Sequence, residues 1–187
     1  MRGQSGKRTK PGEILDRCLR AFVGAGTLDL SLDQLARWVG TSKRMLVHYF
    51  GGREKIEHGA MARLEERLRA QFSPAAFPAG VSPRAVVTAL WERTTAPASK
   101  GVLLLVMDLS RRAWKGSARA RAFYQEQQRL WVELLMTFIP ERAIVDEVLQ
   151  LFQGAVLAFL ITGDPEPGKR ALLRALARQS APGRRSR

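Results

Sequence analysis

The chain has 187 residues, 31 Lys and Arg against 17 Asp and Glu, one cysteine, two histidines and a 45% apolar fraction. That composition excludes wholesale disorder, an internal disulfide and a Cys-rich zinc module, and it leaves little for any other metal centre. The net charge of +14 is uneven: residues 1–72 hold 14 basic and 8 acidic residues, 73–167 hold 10 and 9, and 168–187 hold 7 and none. A basic end calls for a polyanion partner or serves as a solubilising tail, and composition alone does not choose between them.

In chain order, the polar basic arm 1–10 has no apolar stretch behind it and so no signal-peptide pattern. It is expected to be disordered, or to follow phosphates or a minor groove. Ile14, Leu15, Cys18, Leu19 and Phe22 then recur on one helical face, with Pro11 suited to a first turn and Gly24 and Gly26 ending the segment. Ser31 followed by Gln34 is a capping box opening a short helix with Leu32, Leu35, Ala36 and Val39 inward. Gly40 stops that helix, Thr41 and Ser42 start the next, which carries Met45, Leu46, Tyr49 and Phe50, and the Gly51-Gly52 pair breaks the chain again. A longer helix follows over 53–72, with Ile56, Met61, Leu64 and Leu68 as its stripe.

The stretch 73–83 holds three prolines and a glycine and reads as a linker. Helical patterns resume over 83–96, 99–115, 117–138, 141–162 and 167–179, with no alternating strand pattern and no internal repeat. The apolar runs 102–107 and 154–162 are short of a membrane span. The expected fold is all-α, and the chain is expected to be soluble and cytoplasmic.

The segment 31–50 is the most specific. Small Ala36 sits four residues before Gly40 and Leu46 six after it, the spacing of a helix-turn-helix in which glycine takes the left-handed turn and the later aliphatic pins the second helix. An ordinary helical hairpin is the alternative. The stretch from Ile14 to Ile56 also resembles the N-terminal domain of the TetR family of bacterial transcriptional regulators. The resemblance is carried by Ile14-Leu15, Phe22, Gly26, Ser31-Leu32, Leu35-Ala36, Gly40-Thr41-Ser42, Leu46, Tyr49-Phe50, Arg53-Glu54 and Ile56. Val47 departs from the tyrosine common there, Met45 from threonine and Thr41 from valine. The resemblance implies a three-helix DNA-binding domain followed by a helical bundle for effector binding and dimerisation. The expected division is therefore arm 1–10, DNA-binding domain 11–55, helical bundle 56–180 and basic tail 181–187.

In a helix-turn-helix the helix 42–48 lies in a major groove of double-stranded DNA. Lys43 and Arg44 can then reach guanine edges or phosphates, and Val47 offers an apolar contact to a thymine methyl. Thr41 shares that exposed face, while Ser31, Tyr49 and Arg53 are suited to positioning contacts with the backbone. The resemblance places Ser31, Ser42, His48, Tyr49 and Arg53 at positions that usually touch DNA. A solvated face for Lys43 and Arg44, and a core role for Tyr49, are the alternatives.

Aromatic residues concentrate in the second half. Trp91, Leu104, Met107, Asp108, Trp114, Phe123 and Tyr124 are candidates to line a small-molecule site, although aromatics at helical spacing also fill cores and Asp108 can instead pair with Arg111 and Arg112. The pattern 149–161 is apolar over most of its circumference and so needs cover on several sides. With the helix that follows, it suggests a four-helix homodimer interface built on Gly154, Ala155, Ala158, Phe159, Leu173, Leu176 and Ala177, the alternative being a single buried core helix in a monomer. The expected function is a dimeric regulator, a repressor released from a palindromic operator by an apolar or amphipathic effector. The alternative is a basic, sequence-tolerant DNA-binding protein with no effector. An enzyme is not expected, since no phosphate loop, nucleophile-base pair or apolar carboxylate pair is present. No cofactor or metal is called for, and Cys18 reads as a small buried residue.

Overall fold

The computed structural model describes residues 11–179, and among these every regular element is helical. The helices are α1 (Pro11–Ala25), α2 (Leu32–Val39), α3 (Lys43–Phe50), α4 (Arg53–Gln71), α5 (Pro83–Thr95), α6 (Lys100–Trp114), α7 (Ala118–Met136), α8 (Arg142–Thr162) and α9 (Glu166–Gln179). The arm 1–10 and the tail 181–187 lie outside the described residues.

Helix starts follow side-chain chemistry. Ser31, Ser42, Ser82 and Ser117 each cap a helix, their hydroxyls accepting from the backbone N–H three residues on. Such a bond satisfies one of the donors that a helix N-terminus leaves without a partner. At Ser31 the cap is reciprocal, because Gln34 Oε1 accepts from the Ser31 N–H at 2.7 Å. Gly40 closes α2 at φ 72°, a left-handed conformation that side-chain-bearing residues rarely adopt, and Thr41 N–H then donates to Ala36 O at 3.0 Å.

Two apolar cores result. The first joins α1–α4 through Leu19, Phe22, Leu35, Leu46, Ile56 and Leu64, and takes in Leu105 and Leu109 of α6 and Ala120 and Phe123 of α7. The division expected at 55/56 thus falls inside α4, whose Ile56, Ala60, Met61 and Leu64 all serve this core. The second core is built by α5, the end of α7, α8 and α9, around Val86, Leu90, Trp91, Leu135, Val145, Phe152 and Leu172. The stretch 73–83 is packed rather than a free linker: Phe77 meets the Phe138 ring at 5.4 Å and carries the Arg93 guanidinium 4.9 Å above its own ring.

Helix α8 is long and apolar enough, by length and composition, to cross a membrane, which the short run 154–162 did not reveal. Its Val145, Val148, Phe152 and Val156 are buried among α5, α7 and α9, as in the core helix of a globular domain. Helix α6 ties the two halves together. It crosses α1 so closely that a Cβ on Gly101 would overlap the Val23 carbonyl oxygen, so only glycine fits there.

Candidate nucleic-acid interface and ligand cavity

Helix α3 fully buries one side chain, Leu46, packs Tyr49 and Phe50 partly on the first core, and turns its other side chains outward. Lys43, Arg44, Val47 and His48 are exposed together, with Val47 at 42%. Ser42 caps the helix through Met45 N–H at 3.2 Å, and Thr41 stands half-buried at its entrance. Lys43 Nζ lies 3.0 Å from Asp33 on α2, whereas Arg44 makes no ion pair among the described residues. Tyr49 is half-buried against the first core, its ring 5.4 Å from that of His48, so an apolar body and an outward edge coexist as at an interface. Arg53 is held by the protein itself: Nη2 donates to Leu28 O at 3.1 Å, and Nε to Glu57 at 2.7 Å. Its role is therefore to fix the start of α4 against the loop before α2, with its remaining donors outward.

Behind this module, the ends of α4 and α5 and the helices α6, α7 and α8 line a half-open cavity of about 740 Å³. Its apolar wall is made by Phe72, Leu103, Val106, Met107, Phe123, Trp131, Leu149, Phe152 and Val156, and exposed Gln150, Gly154 and Leu157 stand on its rim. Of the expected ligand residues, Met107, Phe123 and Tyr124 line it.

The other four do not, each for a packing reason. Trp91 is 1% exposed and fills the second core, its ring against Phe152 at 5.4 Å and its indole N–H donating to Pro165 O at 3.0 Å. Leu104 turns the opposite way and packs on the α1–α2 corner, 2.8 Å from where a Cβ on Gly26 would lie. Trp114 ends α6 and is 85% exposed among the described residues. Asp108 faces the loop between α1 and α2. The lining residues that were not foreseen include Thr94, Gln127 and Trp131. The signal for Gln127 and Trp131 lay in the i, i+3, i+4, i+7 spacing of Tyr124, Gln127, Gln128 and Trp131 on α7, where neutral polar side chains look like a solvent face; Thr94 on α5 had none.

Asp108 is the centre of the contact between halves. Its carboxylate accepts from Thr27 Oγ1 and Leu28 N–H at 3.1 Å each, from Arg111 at 2.6 Å and from Arg112 at 3.1 Å. Burial alone would push this carboxyl up, but the hydrogen bonds from Arg111, Leu28 N–H and Thr27, and the charge of Arg112, hold it below its usual range. The same two arginines reach Asp29 at 3.0 and 2.7 Å, and Arg112 also meets Glu57 at 3.5 Å. One face of α6 therefore lines the cavity while the other grips the loop that leads into α2.

On α8, Ala155 and Phe159 of the expected dimer residues turn inward, Phe159 to within 6.5 Å of the Trp91 ring, and Leu173 and Leu176 on α9 are half-buried. Gly154, Leu157, Ala158 and Ile161 form the outward stripe, with Leu157 at 51% and Ile161 at 76% exposure, and Ala177 is exposed on α9. Cys18 is fully buried, and burial pushes its thiol up to about 11, so it is held as an inert thiol.

No protein-family model matches the chain. In sequence it is similar to the HTH-type transcriptional regulator SrpR of Pseudomonas putida, 32% identical over 89 residues that cover 46% of this chain and 40% of that protein. It is similar over the same length, at 32%, to the HTH-type transcriptional regulator TtgW, also of Pseudomonas putida, covering 64% of it. A third relative, the HTH-type transcriptional regulator BetI of Rhizobium meliloti, is 34% identical over 77 residues, 41% of this chain and 37% of that one. The chain thus spans between about a third and two thirds of the curated relatives it matches. Among solved structures, a transcriptional regulator from Rhodococcus sp. superposes with a TM-score of 0.70 at 16% identity, covering 91% of this chain and 95% of that one. A TetR-family transcriptional regulator from Streptomyces coelicolor gives 0.69 at 16% identity, covering 89% and 78%.

Proposed function

We propose that the chain, whose fold matches that of a solved TetR-family regulator, is a member of that family and a homodimeric repressor that leaves a palindromic operator when a small apolar or amphipathic effector binds. The observation that carries this reading is the α2–α3 turn, with Gly40 left-handed, Leu46 pinned in the core and Lys43, Arg44, Val47 and His48 exposed together. Arg44, free of ion pairs among the described residues, is the side chain best placed to read a guanine edge, and Val47 meets a thymine methyl. Lys43 exchanges Asp33 for a phosphate. The capped hydroxyls of Ser31 and Ser42 have already accepted a backbone N–H and still carry a proton to donate to phosphate oxygens, as do Thr41 and the Tyr49 phenol. His48 and Arg53 flank them.

Dimerisation is supported by the outward stripe Gly154, Leu157, Ala158 and Ile161, spaced i, i+3, i+4, i+7 on one face of α8 beside Ala177 of α9. A two-fold axis through that face presents two copies of α3 to half-sites roughly 34–36 Å apart. Release follows from α6. An effector in the cavity presses Leu103, Val106 and Met107, and Asp108 on the far side of the same helix transmits the shift to Leu28 and so to α2. Only a difference in effector affinity between the two arrangements drives this change. In this reading the protein acts on DNA in the cytoplasm.

Selection from a random duplex library tests the proposal. Enrichment of a palindrome supports it. Binding with steep salt dependence and no sequence preference would replace it with a sequence-tolerant DNA-binding protein.

A further inference from the structure

The cavity is chemically particular. Among the described residues no charged side chain lines it; its polar groups are glutamine amides and the hydroxyls of serine, threonine and tyrosine. Most of the hydroxyls are already committed. Ser99 donates to Arg93 O at 2.7 Å, Ser110 to Val106 O at 3.0 Å, and Tyr124 to Gln153 Oε1 at 3.4 Å. Two buried polar atoms of the lining are left without a partner, Thr94 Oγ1 on α5 and Gln127 Nε2 on α7. Thr94 is 5% exposed and forgoes the bond to the backbone carbonyl four residues back that its neighbour Thr95 makes with Trp91 O at 2.9 Å. Buried polar atoms without partners are rare and unfavourable, and these two are shielded from water on residues that line one apolar cavity, so a ligand toward which the two side chains turn supplies the missing acceptor.

We propose that this cavity binds an uncharged, mainly apolar molecule carrying a carbonyl-type acceptor, which receives hydrogen bonds from Gln127 Nε2 and the Thr94 hydroxyl. This deepens the effector reading above, and rests on it only for the consequence at DNA. Charged molecules are selected against because an ion entering the site exchanges water for a wall with no counter-charge. A neutral ketone gives up little hydration, and its oxygen finds two waiting donors.

The test uses the full chain and three probes of one skeleton, decan-2-one, decanoate and decylammonium, titrated calorimetrically at neutral pH in the absence of DNA. Decan-2-one is expected to bind at least about tenfold more tightly than either ion. Thr94→Val, which keeps the shape of the side chain, and Gln127→Leu are each expected to weaken decan-2-one about three- to tenfold, the worth of one neutral hydrogen bond. Gln127→Glu, which keeps the length but removes the donor, is expected to weaken it as well. Equal or tighter binding of either ion, absence of binding by decan-2-one, or unchanged affinity in folded Thr94→Val and Gln127→Glu would overturn the proposal. Binding of the selected duplex by the same preparations is read separately, so loss of ligand binding with DNA binding intact refutes the ligand class and leaves the DNA-binding reading standing.

Discussion

Asp108→Ala removes the acceptor that joins α6 to the loop leading into α2. Leu28 is 2% exposed, and among the described residues its N–H reaches no acceptor other than this carboxylate at 3.1 Å. Leaving such a donor without a partner costs about 1–3 kcal/mol. The pairs with Arg111 and Arg112 add less, since both guanidinium groups retain contact with water and with Asp29. For a chain of this length each kcal/mol moves the midpoint by about 2–4 °C, so a fall of about 2–12 °C is expected in thermal unfolding followed by circular dichroism. The pH dependence has a definite sign. A carboxylate held below its usual range in the folded state stabilises fully above the unfolded value of about 3.9 and loses that contribution as pH falls through the lower, folded value. The native chain is therefore expected to lose stability below about pH 4 more steeply than Asp108→Asn. A change in midpoint of less than about 1 °C in Asp108→Ala, with an unaltered acid limb in Asp108→Asn, would refute the assignment of this carboxylate as the tie between the halves.

Three further outcomes follow from single side chains. Arg44→Ala should leave the unfolding midpoint unchanged, as Arg44 has no ion-pair partner among the described residues, while weakening the selected duplex about ten- to a hundredfold in gel shift. Ile161→Arg alters a side chain that is 76% exposed in one copy, so monomer stability should move by no more than about 0.5 kcal/mol, yet sedimentation should change from dimer to monomer. Thr94→Val removes a buried hydroxyl that has no partner and should raise the midpoint of the unliganded protein by about 2–4 °C, the opposite of its effect on ligand affinity.

The helices were legible because local chemistry decides them. The serine caps and Gly40 put starts and stops within a residue or two of where they stand, and the tight α2–α3 turn follows from glycine spacing alone. What the sequence hides is the division of labour on α6. Its run 102–107 is apolar throughout, so periodicity does not tell that Leu105 serves the first core, Leu103 and Met107 the cavity, and Leu104 the corner at Gly26. Aromatic size was a poor guide for the same reason. Trp91 is consumed by packing and Trp114 is left at a helix end, while the tryptophan that does line the cavity, Trp131, is set among glutamines that resemble a wetted face. Asp108 was readable as an arginine partner from its i+3 and i+4 neighbours. Its bond to Leu28 N–H, 80 residues away, depends on tertiary structure alone.

The central claim, that two copies of α3 fixed by one two-fold axis read a palindrome, is tested most directly by changing the spacing of the selected duplex. Inserting about five base pairs between the half-sites turns one of them to the opposite face of the DNA. Binding by the native dimer should fall at least about a hundredfold, and insertion of a full helical turn should not restore contact with both half-sites at once. Affinity unchanged by the half-turn insertion would contradict a fixed pair of recognition helices.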